Sequence, residues 1–382
     1  MAHGEDRGRR HIESTAPAGS REGIVTASGS KTEDGLVVAV AHDFFEVVSA
    51  ERTSLCTLRG RLRKPHVRPA TSGQPISPKQ LGRPPHQGYT APVASKGGAA
   101  PATDITTSPL RVAPGDHVRF TPLDSRHGII EEVLPRRTFL SRARSQSSTE
   151  HVMLANLDQA VLVFAVQEPE PHFGMLDRYL ALCEHAGIEV TICLNKVDLG
   201  IPPEIGREAG LYAELGYKMV YTSAETQEGI GTLRAQLKDR TSLMTGPSGV
   251  GKSSLINVLV PEAKQRTGEV SDSTGKGRHT TTGVRLLPLD DGGWLGDSAG
   301  IRELALWNVP SEELAQTFVE LRPSAGACLF ENCDHSEGEG GCALREVLAS
   351  GLITPGRFAS FERLLAEARE AEYLKLPAGR RT

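Results

Sequence analysis

The chain has 382 residues, enough for two or three domains rather than one. Hydrophobic residues make up 38% and aromatics 5%, beside 40 Gly and 24 Pro, so cores are affordable but part of the chain reads as linker. No stretch approaches the ~20 consecutive apolar residues of a membrane span, which excludes a transmembrane helix, and the formal net charge of -4 excludes neither an acidic nor a basic partner.

In chain order, Met1–Gly29 is polar and carries Glu5, Asp6, Glu13 and Glu22. It has neither the apolar segment of a signal peptide nor the acid-poor composition of a transit peptide, so a cytoplasmic protein with a disordered tail over 1–33 is expected. Short strands follow at Leu36–Val40, Phe44–Val48 and Ser54–Arg59, and return at Asp116–Phe120 and Gly128–Val133. Residues 65–109 hold nine Pro and five Gly among 45 residues and few large apolar side chains. That composition cannot offset its ordering entropy and predicts a disordered insertion. The pattern over 34–149 is that of a small OB-type β-barrel interrupted by this insertion.

Charge is distributed unevenly. Residues 1–150 carry 21 Lys+Arg against 15 Asp+Glu, and the remainder 22 against 32. Between Arg52 and Thr103 there are nine basic residues and no acidic one, as in a solvated disordered stretch or a segment that meets nucleic-acid phosphates. Arg59, Arg61, Arg63 and Lys64 are the candidate contacts, the three arginines sharing one side if the strand continues.

Beyond residue 150 apolar runs (Ala160–Val166, Val190–Leu194, Met219–Thr222, Ser242–Thr245) alternate with helical patterns (Met175–His185, Pro203–Leu215, Ile230–Leu237). Such alternation predicts a parallel sheet covered on both faces over 150–305. Residues 306–382 read as helical around a Cys/His cluster, and there is no internal repeat.

Gly246-Pro247-Ser248-Gly249-Val250-Gly251-Lys252-Ser253 matches G-x-x-x-x-G-K-[ST] between a strand and a helix, followed by Ser254. Its glycines let backbone N–H groups turn toward phosphates at the positive end of the helix. Lys252 supplies a charge for the β- and γ-phosphates and Ser253 a hydroxyl ligand for Mg²⁺. Asn195-Lys196-Val197-Asp198 follows the strand Val190–Leu194, at the carboxyl edge where nucleotides bind such sheets. A carboxylate at Asp198 accepts both N1–H and the exocyclic amine of guanine, a donor pair adenine lacks. Asn195 can tie this loop to the phosphate loop, Lys196 can cover the base, and Ser223-Ala224 can offer a backbone N–H to guanine O6.

Cys328-x₄-Cys333-x-His335-x₆-Cys342 gathers three thiolates and an imidazole within fifteen residues. This is a closed set suited to one structural Zn²⁺, with the metal supplying much of the local folding free energy. Cys56, Cys183 and Cys193 form no second cluster and are expected to pack as small hydrophobes.

The motif order is unusual: the guanine motif precedes the phosphate loop, and Asp297-Ser298-Ala299-Gly300 comes last. This is a circular permutation of the GTPase sheet. With a preceding barrel and a following Cys/His cluster, the chain resembles the bacterial ribosome small-subunit-dependent GTPases over residues 35–64 and 110–365. Gly277-Arg278-His279-Thr280-Thr281-Thr282 and Leu157-Asp158-Gln159 are further matching stretches.

Phosphoryl transfer to water calls for positioning, a metal and charge stabilisation. A threonine of the run Thr280, Thr281 and Thr282, with Thr281 at its centre, should complete the Mg²⁺ shell and sense the γ-phosphate; spacing does not fix which. Asp297 would hold the metal through water, and the Gly300 N–H would meet the γ-phosphate. Ile301 occupies the position where many GTPases orient water with Gln, and the resemblance implies His279 for that role. Ala299 replaces the usual proline of the third motif, and Gly296 stands where a β-former is expected. Both are expected to loosen the second switch and slow hydrolysis.

The resemblance implies a GTPase, slow alone and stimulated by 30S subunits, that contacts the small subunit and 16S rRNA through all three modules. It would act late in 30S maturation and leave after hydrolysis, binding GTP and GDP. The alternative is a GTP-dependent switch on a non-ribosomal protein. With no long apolar face left over, a monomer is expected.

Overall fold

In the computed structural model the described residues are 31–62, 112–144, 147–261, 284–297, 309–338 and 340–375. Residues 1–30 of the expected tail, the insertion, the Thr280–Thr282 run and the Ser298–Gly300 segment lie outside them, and the tail's last residue, Glu33, already begins the first strand. Residues Gly60–Leu110 form a separate unit, described only at the 3₁₀ turn Gly60–Leu62; the rest of the fold belongs to the other unit.

Five strands, β1 (Glu33–Ala41), β2 (Phe44–Val48), β3 (Thr53–Leu58), β4 (His117–Pro122) and β5 (His127–Val133), close a barrel in the order β1-β2-β3-β5-β4. All pairings are antiparallel except β3 with β5. Alternation fills the interior with Val37, Phe45, Val47, Cys56, Val118, Phe120 and Ile130. The β1–β2 register shifts between Val37 and Ala39, and Val38 is buried in the core of the neighbouring sheet beside Leu154, Leu243 and Leu286. Successive residues of a strand face opposite sides, so Val37 fills the barrel and Val38 the sheet's core. β3 ends at Leu58 and a 3₁₀ turn follows, so the extended alternation expected to align Arg59, Arg61 and Arg63 does not continue. Gly60, with no side chain to pack, opens the turn.

A hairpin of β6 (Phe139–Arg144) and β7 (Ser147–Ala155) leads from barrel to sheet. Its apolar residues are gathered at one paired end, Phe139–Leu140 against Leu154–Ala155, instead of alternating along the strands, and sequence reading missed it. The sheet holds β8 (Gln159–Ala165), β9 (Glu189–Asn195), β10 (Lys218–Thr222), β11 (Thr241–Thr245), β12 (Arg285–Pro288) and β13 (Trp294–Asp297) in the order β10-β9-β8-β11-β13-β12. It is parallel except for β12 at one edge.

Every residue of β8 is buried. Ala160, Leu162 and Phe164 face the core shared with helices α1 (Phe173–His185) and α2 (Pro203–Glu214). Val161, Val163 and Ala165 face that of α3 (Ile230–Leu237) and α4 (Lys252–Leu259). This is the burial expected of a doubly covered parallel sheet. The C-terminal helices Ala343–Ala349 and Pro355–Lys375 join the first core through Leu344, Val347, Phe358, Phe361 and Leu365. No helix among the described residues is long and apolar enough to cross a membrane.

Candidate nucleotide site and candidate zinc site

The strand order reverses between β8 and β11, and the loops after their carboxyl ends frame the crevice where open α/β sheets bind ligands. β11 delivers the chain to Gly246, which has φ 147° and lies against the Val163 backbone of β8. Gly249 and Gly251 also have positive φ, so the loop runs through conformations that only glycine takes without strain. Val250 is buried, Ser248 and Gly249 are exposed, and Lys252, Ser253 and Ser254 form the first turn of α4. Lys252 Nζ donates to the carbonyls of Gly246 (2.9 Å) and Pro247 (2.5 Å). Burial lowers its pKa, and the charge of Asp297 at the end of β13 opposes that shift.

The guanine-type loop reaches the same place from β9. Asn195 is buried; its Nδ2 donates to Val250 O at 2.9 Å, joining the two loops. Its Oδ1 accepts from Thr222 Oγ1 (3.0 Å) at the end of β10, and Cys193 Sγ lies 3.3 Å from the same hydroxyl. Thr222 thereby fixes which way the amide faces, a role no local motif announces. Lys196 stands at φ 65° with its Nζ on Glu168 O. Asp198 sits exposed in the 3₁₀ turn Val197–Leu199, and Val197 packs on the larger core. The Ser223 N–H is engaged by Glu228 O (3.0 Å) and its Oγ by the Thr226 N–H (3.0 Å), which leaves Ala224 as the donor of that pair.

Asp158 and Gln159 lie at the opposite, amino edge. Asp158 exchanges bonds with the Thr241 backbone, and Gln159 Nε2 donates to Gln236 O and Ser242 Oγ. They align β8 with β11 and stand away from the nucleotide loops. Gly296 has a packing reason: a Cβ there would meet Val284 Cγ1 at 3.1 Å and Leu243 Cδ1 at 3.3 Å. The looseness expected at this position is instead a close approach inside the sheet. His279, Thr280, Thr281, Thr282 and Gly300 lie outside the described residues.

In the C-terminal module the four ligand atoms of Cys328, Cys333, His335 and Cys342 lie within 4.8 Å of one another. His335 Nδ1 is 3.6, 3.4 and 3.5 Å from the sulfurs of Cys328, Cys333 and Cys342. A tetrahedral zinc with ordinary Zn–S and Zn–N bonds demands an S···N edge of about 3.6 Å, so the set fits the metal. His335 has φ 64° and its carbonyl accepts from Arg345 Nε at 2.9 Å. Arg345 also pairs with Glu362 and stands over the Phe358 ring, which fixes the cluster to the C-terminal helix.

Among the barrel candidates, Arg59 is about half exposed and pairs with the buried Glu131 at 2.6 Å. Glu131 also accepts from Thr121. Arg63, Lys64 and the side chain of Arg61 are not among the described residues.

A phosphate loop and a guanine-type loop joined at the switch point of a sheet entered at its usual middle strand define a circularly permuted GTPase. The RsgA GTPase family matches residues 133–307. A protein of Gemmatimonas aurantiaca named Small ribosomal subunit biogenesis GTPase RsgA is 42% identical over 265 residues, covering 68% of this chain and 85% of that one. One of the same name from Moorella thermoacetica is 41% identical over 262 residues, covering 68% and 87%. The crystal structure of YjeQ from Thermotoga maritima superposes with a TM-score of 0.61 at 28% identity, over 88% of this chain and 99% of that one. YloQ, described as a circularly permuted GTPase, has the same fold, with a TM-score of 0.59 at 24% identity over 89% and 96%. The chain belongs to the RsgA GTPase family and is a GTP-hydrolysing enzyme, and nucleotide and Mg²⁺ use come with that family.

Proposed function

We propose that this GTPase binds the small ribosomal subunit, acts late in its maturation and leaves after hydrolysing GTP. The observation that carries the reading is the joined pair of nucleotide loops in a chain whose relatives are named for small-subunit biogenesis. Asp198 reads guanine, the Ala224 N–H meets O6, and Lys252 and the loop N–H groups hold the phosphates. Ser253, Asp297 and a threonine of Thr280–Thr282 hold Mg²⁺, and Gly300 meets the γ-phosphate. His279 orients the attacking water.

Three modules take part: a barrel over 34–149, the GTPase over 150–305 and the zinc-binding module over 306–382. Cys328, Cys333, His335 and Cys342 hold one structural Zn²⁺. The protein works as a cytoplasmic monomer, and its contacts with 16S rRNA come from local basic patches, since the chain beyond residue 150 is acidic on balance. Arg59 is already paired with Glu131, and Arg61, Arg63 and Lys64 are the further candidates.

The test is GTP hydrolysis by the full chain alone, with 30S subunits and with 50S subunits. Stimulation by 30S alone, lost in His279→Ala with GTP binding retained, supports the reading. Equal slow turnover in every case would refute the ribosome-dependent mechanism.

A further inference from the structure

The segment that follows β8 enters no nucleotide motif, yet three successive residues of it touch the nucleotide loops. Gln167 Nε2 donates to Leu199 O at 2.8 Å and to Gly200 O at 2.9 Å. The Glu168 carbonyl receives Lys196 Nζ, and Pro169 Cδ lies 3.6 Å from where a Cβ of Gly249 would stand. Glu168 and Lys196 both hold positive φ, 52° and 65°, a conformation non-glycine residues keep only where surrounding contacts hold it.

The turn carrying Asp198 is a single 3₁₀ turn, closed by Leu199 N–H to Lys196 O (3.1 Å) and Gly200 N–H to Val197 O (2.9 Å). Its last carbonyls have no partner within the turn, and so short a helix has little rigidity of its own. Gln167 caps both carbonyls from a neighbouring strand end. We infer that Gln167 is a positioning residue for guanine recognition: by capping Leu199 and Gly200 it fixes the turn that aims the Asp198 carboxylate at both N1–H and the 2-amino group of the base. The inference rests on the guanine reading of Asp198 proposed above.

It has a chemical signature that mere support of the fold lacks. Inosine diphosphate keeps N1–H and lacks the 2-amino group, so the ratio of its dissociation constant to that of GDP reports how well Asp198 meets its second donor. The full chain is titrated with GDP, inosine diphosphate and ADP, and its thermal midpoint is measured. Gln167→Leu and Gln167→Glu both remove the donor; Gln167→Lys keeps a donor for the two carbonyls.

The expected result is a GDP affinity about three- to tenfold weaker in the first two variants. Inosine diphosphate should lose less, so that the ratio contracts, while Gln167→Lys keeps it near that of the natural chain. A ratio unchanged in both donor-less variants, whatever their thermal midpoints, overturns the inference. Equal affinity of the natural chain for GDP and ADP overturns the guanine reading itself, and this inference with it.

Discussion

Lys252 shows how one residue's environment sets its chemistry. Burial at the head of α4 lowers its pKa from the ordinary 10.5, with Asp297 opposing the shift. The charged form is the one that binds phosphate, so a bound nucleotide must raise the pKa again. Two outcomes follow from that sign. GDP affinity should fall as pH rises through the alkaline range, earlier than for an exposed lysine. The complex should take up protons as it forms, measurable as a buffer-dependent enthalpy in calorimetric titrations at alkaline pH. Gly296 makes the steric counterpart. With Val284 Cγ1 and Leu243 Cδ1 already 3.1 and 3.3 Å from its missing Cβ, Gly296→Val should cost about 1–3 kcal/mol by overpacking. It should also displace Asp297, the next residue; a lower thermal midpoint together with weaker Mg²⁺-dependent GTP binding checks both effects.

At the scale of elements, the two sites differ in what holds them. The nucleotide loops hang from the ends of buried strands, and the Asn195–Val250 and Thr222–Asn195 bonds rest on β9, β10 and β11. The cysteine cluster has little apolar filling of its own: Leu329 and Phe330 beside it are exposed. Its attachment runs through Arg345, the His335 ring tilted beside Phe361 and Cys342 buried in the larger core, and a bound zinc would tie the four ligands together. Chelation of zinc should therefore lower thermal stability and expose three reactive thiols to a thiol reagent, while GDP binding persists. Loss of GDP binding in step with the metal would show that the two elements fold as one.

At the scale of the whole molecule, the barrel joins the sheet through contacts of unequal weight. Asn156, just before β8, donates its Nδ2 to Gly115 O at 2.9 Å, at the barrel end that Arg136, after β5, braces by gripping the fully buried Asp116 with two bonds of 2.7 and 2.8 Å. Glu46 of β2 meets Arg285 of β12 at 2.8 Å nearer the surface. Removing one partner of a buried pair strands a charge, whereas a surface pair contributes little. Asp116→Ala should cost about 3–5 kcal/mol in chemical denaturation, and Glu46→Ala no more than about 1 kcal/mol. The C-terminal helix is bound in the same buried fashion, through Arg357 to Asp177 of α1 and to Glu320.

The sequence by itself determined the parts whose chemistry is local. Runs of apolar residues between turn signals place β8, β9 and β11, the glycines and Lys252 mark a phosphate loop, and three cysteines with one histidine mark a metal set. In each case neighbours in the chain are neighbours in space, so spacing carries the information. Motif order alone also showed the permutation. The hairpin of β6 and β7 escaped because its apolar residues cluster at one end instead of alternating, and the condition for aligning the arginines, a continuing strand, is not met because β3 ends at Leu58. Tertiary structure alone decided the contacts between distant segments: Thr222 orienting Asn195, Gln167 capping the Asp198 turn, Glu131 engaging Arg59, and Gly296 admitting Val284 and Leu243. None of these pairs is close enough in sequence for a periodic pattern to join them. Each exists because sheet order sets strand ends side by side and close packing leaves one arrangement that satisfies both polar partners and volume.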